Sequence, residues 1–438
     1  MKTMKMTGGG DAILDLGFQK GGYEGFEGVR AALGRGDARI GNLEVTVTRY
    51  DTYASAYCGG LWHQTDVRCL KQIESYGFNM MGFANNHTMD WGPDGLLQTL
   101  ANARERGAAI TGAGKDLAEA SAPVYRTFPG GRVALIAISS SFYDAARAGW
   151  ASRTVKGRPG VNPLRFESEY YVTKEHLDAM REIASVTKMN GTMDLSRKNG
   201  FTPPLPEGTA DFGGIRLKLT PDGTEGKHTY CNSFDLERTL DSIKDARLIA
   251  DYVVIMFHSH QILGAINNAP DEFAVEFAHA CIDAGADAIL GGGTHEFKPV
   301  EIYNGKPIFY SLGNFCFQSN VVEHQPSDLL DKFNLPPMSD VQALAARNGD
   351  WKMGLHTQVQ NFRTVIPYLE FEDGVLQKLL LRPADLGFEK PRAVRGVPYL
   401  SGEKISREIF DYLSAISQEQ FGTEMAMRDD LFIEVKIR

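Results

Sequence analysis

Asp251-Tyr-Val-Val-Ile-Met-Phe-His-Ser-His260 is an apolar run that ends in two histidines one residue apart. Tyr252 to Phe257 reads as a buried strand and is far short of the roughly 20 residues that span a bilayer. If the strand continues through the histidines, alternation sends both imidazoles to one face. Imidazole is a common ligand of Zn, Mn and Fe, so two at this spacing on a strand end point to a metal.

The same arrangement recurs on either side. Ala288-Ile-Leu290 runs into Gly291-Gly-Gly-Thr-His295, where glycines let the backbone approach a ligand ahead of an imidazole. Arg39-Ile-Gly-Asn-Leu-Glu44 is a strand leading to an amide and a carboxylate two residues apart, both hard oxygen donors on one face. Asn79-Met-Met-Gly-Phe-Ala84 ends in Asn85-Asn-His87 with Asp90 beyond. There Asn86 offers an oxygen ligand, His87 a proton donor or acceptor, and Asp90 a carboxylate to fix the imidazole tautomer. Asp11 follows three glycines and precedes Ala-Ile-Leu14. Arg132 to Ile138 and Lys306 to Ser311 are further strands, and Asp66–Tyr76, Leu96–Arg106 and Glu272–Ala284 carry helical spacing. Alternating strands and helices with ligand-type residues at strand ends describe an α/β protein whose site lies at those ends.

The chain has 438 residues, 43% hydrophobic and 23% charged, which is globular composition. Its net charge of −9 excludes the broad basic surface of a nucleic-acid binder. Five scattered cysteines without CxxC spacing give neither a disulfide framework nor a cysteine zinc site and favour a reducing compartment. The N-terminus lacks the apolar segment of a signal peptide, so the expectation is a cytoplasmic protein without a membrane partner. His63, His176, His228, His279, His324 and His356 read as ordinary histidines.

Segments that break the alternation are 147–165, basic with no acidic residue, and two insertions at about 199–232 and 319–354. Strands return over 357–381 with a turn at Glu372-Asp-Gly374, then a helix over 404–419 and a last strand over 430–437. In the basic segment, Arg158 is the expected clamp for a carboxylate or phosphate.

The order of motifs resembles the capsule-biosynthesis CapA family, linked to poly-γ-glutamate and similar in turn to calcineurin-like metallophosphoesterases. The matching stretches are Gly10-Asp11, Asn42-Leu-Glu44, Asn85-Asn-His87 with Asp90, His258-x-His260, Cys281-Ile-Asp-Ala-Gly-Ala-Asp287, His295 and Val300-Glu-Ile-Tyr-Asn-Gly-Lys-Pro-Ile-Phe-Tyr-Ser-Leu-Gly-Asn-Phe315. The resemblance implies a four-layer α/β/β/α sandwich over residues 1–385, with 386–438 as a helix-strand extension packed on it. It implies that Asp11, Glu44, Asn86, His258 and His295 resemble metal ligands, with His260 a further ligand or supporting residue. His87 then assists the leaving group, oriented by Asp90, and Asn42 and Arg158 contact substrate. Two departures stand out. Ala12-Ile13 follows Asp11 where phosphoesterases carry Asp-x-His, and Gly292-Gly293 stand where a further histidine is usual. One metal position is therefore expected to have fewer ligands.

These readings converge on a hydrolase using one or two Zn, Mn or Fe ions to activate water against an amide-type, γ-glutamyl-like or other small anionic substrate. A phosphoesterase, a metal-dependent lyase and a non-catalytic capsule-assembly or binding protein are the alternatives. Homo-oligomerisation is left open.

Overall fold

The computed structural model describes residues 2–265, 267–319 and 322–437. Among these, strands form a ten-stranded and a six-stranded sheet. The strands alternate between two cores. Val254 and Met256 join Leu135, Ala137 and Leu290 in a cluster shared with Met4, Met6, Ile40 and Met80 of the larger sheet. Val253, Ile255 and Phe257 point the other way, against Ile243, Phe273, Phe277 and Cys281 of two outer helices, Ser233–Arg247 and Glu272–Asp283. Period-2 alternation with both faces apolar is why the run beginning at Tyr252 carries no polar residue. The larger sheet is covered by Val29, Leu33, Leu70, Ile73, Leu96 and Leu100 from three helices, Phe26–Leu33, Val67–Ser75 and Gly92–Glu105. The result is a four-layer α/β/β/α sandwich with the two sheets face to face.

The strands that matter run parallel. In the larger sheet, Thr3–Ile13 pairs with Ala38–Leu43, which pairs with Met80–Gly82. In the smaller, Tyr252–Ser259 lies between Gly131–Ser139 and Ala288–Gly293. All their C-terminal ends therefore open at one edge of the sandwich. Along two of them, the row facing the opposite sheet changes from apolar to ligand-type: Ile40 then Asn42 and Glu44, and Met256 then His258.

Other segments attach to this frame. Residues 166–231 are a four-stranded sheet with two helices, Lys174–Thr187 and Gly191–Lys198, larger than the loop or hairpin expected over 199–232. The 319–354 segment carries helices Asp328–Lys332 and Asp340–Arg347 and is not irregular throughout. Beyond residue 386, helix Glu403–Phe421 buries Ile409, Leu413 and Ile416 against the inter-sheet core, and strands Met425–Met427 and Ile433–Val435 extend the larger sheet. Four cysteines are buried as small apolar groups and none is disulfide-bonded. Among the described residues, no helix is long and apolar enough to cross a membrane.

Candidate metal centre

Asp11 sits where the first strand is distorted. Its register with the neighbouring strand shifts between Gly8 and Asp11 and resumes with Asp11 beside Asn42. Gly10 permits this, because a Cβ there would lie 1.8 Å from the carbonyl oxygen of Gly313. The Asp11 carboxylate then crosses to the other sheet. Its Oδ2 accepts from the Gly293 amide at 2.7 Å, and its Oδ1 accepts from Asn42 Nδ2 at 2.7 Å. A Cβ on Gly292 would stand 2.3 Å from Asp11 Oδ1. Gly292 and Gly293 therefore make room for, and bind, the aspartate.

Around Asp11 the histidines converge. His258 is registered beside Gly292, with Nδ1 3.5 Å from Asp11 Oδ1 and Nε2 3.5 Å from Glu44 Oε1. Its Nε2 also lies 2.7 Å from Asn86 Oδ1. His260 has its ring 5.2 Å from that of His258 and 5.6 Å from that of His295. His295 takes a left-handed backbone, φ 62°, after the glycines. Its Nδ1 meets Asn314 Oδ1 at 2.8 Å, and Asn314 Nδ2 donates to the Asn361 carbonyl. That leaves His295 Nε2 free for a ligand.

Two ligand sets result, Asp11 with Glu44 and His258, and Glu44 with His260 and His295, each with its ligand atoms within 4.8 Å of one another. Glu44 belongs to both. It is fully buried, and neither carboxylate oxygen has a hydrogen-bond partner; His260 Nε2 is likewise buried and unpartnered. Burial, reinforced by the Asp11 and Asp90 carboxylates, pushes Glu44 well above the usual carboxylate range. Burial acts the same way on Asp11, but the His258 and His295 imidazoles and the Asn42 amide hold it well below that range. Burial and neighbouring imidazoles hold His260 low, and burial lowers His295. A buried, unpartnered carboxylate among imidazoles is the donor set a divalent transition ion completes.

Beside this cluster, Asn85 braces the turn. Its Nδ2 donates to the Leu43 carbonyl at 2.8 Å, and its Oδ1 accepts from the His87 amide at 3.1 Å. His87 Nδ1 meets Asp90 Oδ2 at 2.6 Å. Burial and the imidazoles of His63, His295 and His258 keep His87 well below the usual histidine range.

The structure thus brings Asp11, Asn42, Glu44, Asn86, His87, Asp90, His258, His260 and His295 to one place. Asn42 is there as a brace between Asp11 and His258, with Nδ2 3.2 Å from His258 Nδ1. Arg158 is not brought there. It is exposed, donates to the Arg147 carbonyl at 3.0 Å and lines a separate cleft with Tyr53 and Tyr57. His63, read as ordinary, is buried at the site instead. Its Nδ1 pairs with Asp15 Oδ2 at 2.8 Å, its amide donates to Asp90 Oδ2 at 2.9 Å, and its ring meets His87 edge-on at 4.5 Å. The only sequence signal for it was a polar pair, His63-Gln64, in a stretch otherwise without pattern.

The family model described as the bacterial capsule synthesis protein PGA_cap matches residues 5–319. The chain belongs to this family. Within its reach lie both ligand sets and the His87–Asp90 pair. The chain is 30% identical to the uncharacterized protein y4uA of Sinorhizobium fredii over 437 residues, 97% of this chain and 91% of that protein. It is 26% identical to the PGA biosynthesis protein CapA of Bacillus subtilis over 313 residues, covering 71% of this chain and 61% of that one. With the capsule biosynthesis protein CapA of Bacillus anthracis it shares 24% identity over 262 residues, 60% and 45% of the two chains.

Proposed function

We propose that this PGA_cap protein is a metal-dependent hydrolase of an amide-type, γ-glutamyl-like or other small anionic substrate. The observation that carries the proposal is Glu44, a buried carboxylate with no hydrogen bond, set between two pairs of ligand-type side chains. Left so, it is costly to the fold; a divalent cation held by Asp11, Glu44 and His258, and another by Glu44, His260 and His295, removes that cost. Mixed nitrogen and oxygen donors suit Zn, Mn or Fe and disfavour Ca. When bound, such an ion polarises the scissile group and lowers the pKa of water.

The chain's own residues supply the rest. Asp90 holds His87 Nδ1, which leaves Nε2 to take the proton of the attacking water and pass it to the leaving group at the cavity that His87 and His295 line. The His63 ring fixes the His87 ring from its edge, and Asp15 in turn fixes His63. The choice of a γ-glutamyl-like amide follows the relatives named for PGA biosynthesis.

The test is turnover of a γ-glutamyl amide in ¹⁸O-water, with His87→Ala as comparison. Hydrolysis places label in the product carboxylate, and His87→Ala lowers the rate by about 100-fold or more. Unlabelled products would convict the reading and favour a lyase. Metal uptake without turnover on amide or phosphoester panels would favour a binding role.

A further inference from the structure

In front of the cluster, His63, His87 and His295 line a cavity of about 210 Å³ together with Ile13, Phe317 and Arg347. Arg347 comes from outside the family match, which ends at residue 319. It stands in the last turn of helix Asp340–Arg347. That helix is held by a small core of its own: Val322, Leu329, Ala343 and Leu344 are buried against Cys58, Leu61, Trp62 and Trp91. Gln325 ties the wall further, its Nε2 donating to the Trp62 carbonyl at 2.8 Å. The place of Arg347 at the cavity is therefore set by packing.

The guanidinium is only partly satisfied there. It lies over the Phe333 ring at 5.2 Å, and Nη1 donates to Asn348 Oδ1 at 3.2 Å. Among the described residues no carboxylate pairs with it, although the chain carries 55 acidic residues against 46 basic ones. Burial disfavours its charge, and its field reaches His63. An arginine has five donors in a planar fork that matches a carboxylate or phosphate.

We infer that Arg347 receives an oxyanion group of the substrate, a carboxylate or a phosphate, and holds it in the cavity facing His87 and His295. The inference rests on the hydrolase reading and adds what it lacks, a cation that selects the substrate. It moves the anion clamp from Arg158 to the part of the cavity wall that helix Asp340–Arg347 supplies. Bidentate contact through the fork orients the group, and the Phe333 ring keeps the guanidinium plane in place. In a chain of net charge −9, a local cation is also what lets an anion enter.

The test titrates glutarate, inorganic phosphate and neutral glutaramide against the full chain, with and without added Zn, in wild type, Arg347→Gln and Arg347→Lys. The expected result is about tenfold or greater weakening of at least one anion in Arg347→Gln, partial recovery in Arg347→Lys, and unchanged glutaramide binding. Weakening of glutarate alone assigns a carboxylate subsite; weakening of phosphate alone assigns a phosphate subsite. Equal anion affinities in all three proteins, or a wild type that binds neither anion, overturns the inference. Metal uptake measured on the same samples reads the hydrolase proposal separately, because the metal-free titrations report on Arg347 by themselves.

Discussion

Lys298 gives a quantitative check on how the site edge is built. Its side chain is 1% exposed, and Nζ donates to the Gln261 carbonyl at 2.6 Å, pinning the chain just past His260. Gln261 in turn accepts from Ser140 Oγ at 2.7 Å and Ser259 Oγ at 3.0 Å. Asp271 favours the ammonium, but it is engaged with Lys227 at 2.9 Å. Burial therefore dominates and brings Lys298 down from 10.5 to about 7. Below pH 7 both folded and unfolded chains carry the proton, and the folded state bears the full penalty, about 5 kcal/mol. Between pH 7 and 10.5 the unfolded chain binds more protons, so this group makes stability rise with pH, by ~10-fold in the folding equilibrium per pH unit.

Lys298→Met removes the penalty and also orphans the Gln261 carbonyl, a loss of about 1–3 kcal/mol that does not depend on pH. Denaturant midpoints and slopes of wild type and Lys298→Met, measured from pH 6 to pH 10, isolate the pH-dependent part, since other groups cancel in the difference. The variant's relative stability is expected to be greatest at pH 6 and to fall steadily above pH 7. A difference that stays flat across the range would refute the account of Lys298.

Further predictions concern the frame and the ligands. Gly292→Ala places a methyl carbon against the Asp11 carboxylate and is expected to lose about 1–3 kcal/mol of stability and to weaken metal uptake; unchanged uptake would contradict the role given to Gly292. Asp235 is 1% exposed and accepts from the Arg165 amide at 2.9 Å and Arg165 Nε at 2.7 Å while pairing with Arg238. Asp235→Ala is expected to cost about 2 kcal/mol, read as a lowered denaturation midpoint, because it strands the largely buried Arg238 guanidinium and frees the half-exposed Arg165 where the 166–231 sheet joins the sandwich. Glu44→Gln removes a buried carboxyl whose ionisation the fold opposes, so near neutral pH, where the unfolded chain ionises it freely, the metal-free variant is expected to melt above metal-free wild type; a lower midpoint would count against the burial argument.

Much of the centre was legible because it follows from strand parity. Ile40, Asn42 and Glu44 lie on one row, as do Met256, His258 and His260, so apolar alternation predicts where the ligands face. The capped helix Val67–Ser75, whose Asp66 side chain accepts from the Arg68 amide at 2.7 Å, was legible for a similar local reason. What escaped depends on contacts between distant segments. The His63–Asp15 pair joins two stretches without periodicity. Gly292 and Gly293 read as missing ligands because their partner, Asp11, comes from the other sheet. Arg158 and Arg347 are alike as letters; only packing shows that one faces solvent and the other lines the cavity. The 166–231 unit was read too small because strand Phe166–Val172 and helix Lys174–Thr187 precede the Gly- and Pro-rich stretch that drew attention.

The most direct measurement is the metal content of freshly purified protein, wild type beside His258→Ala, each also after exposure to Zn, Mn or Fe. His258 contacts both Asp11 and Glu44, so its loss breaks one ligand set and unsettles the carboxylate shared with the other. The account predicts one or two transition-metal ions per chain in the wild type and clearly less in the variant. A wild type that carries no metal and takes up none of the three would contradict it.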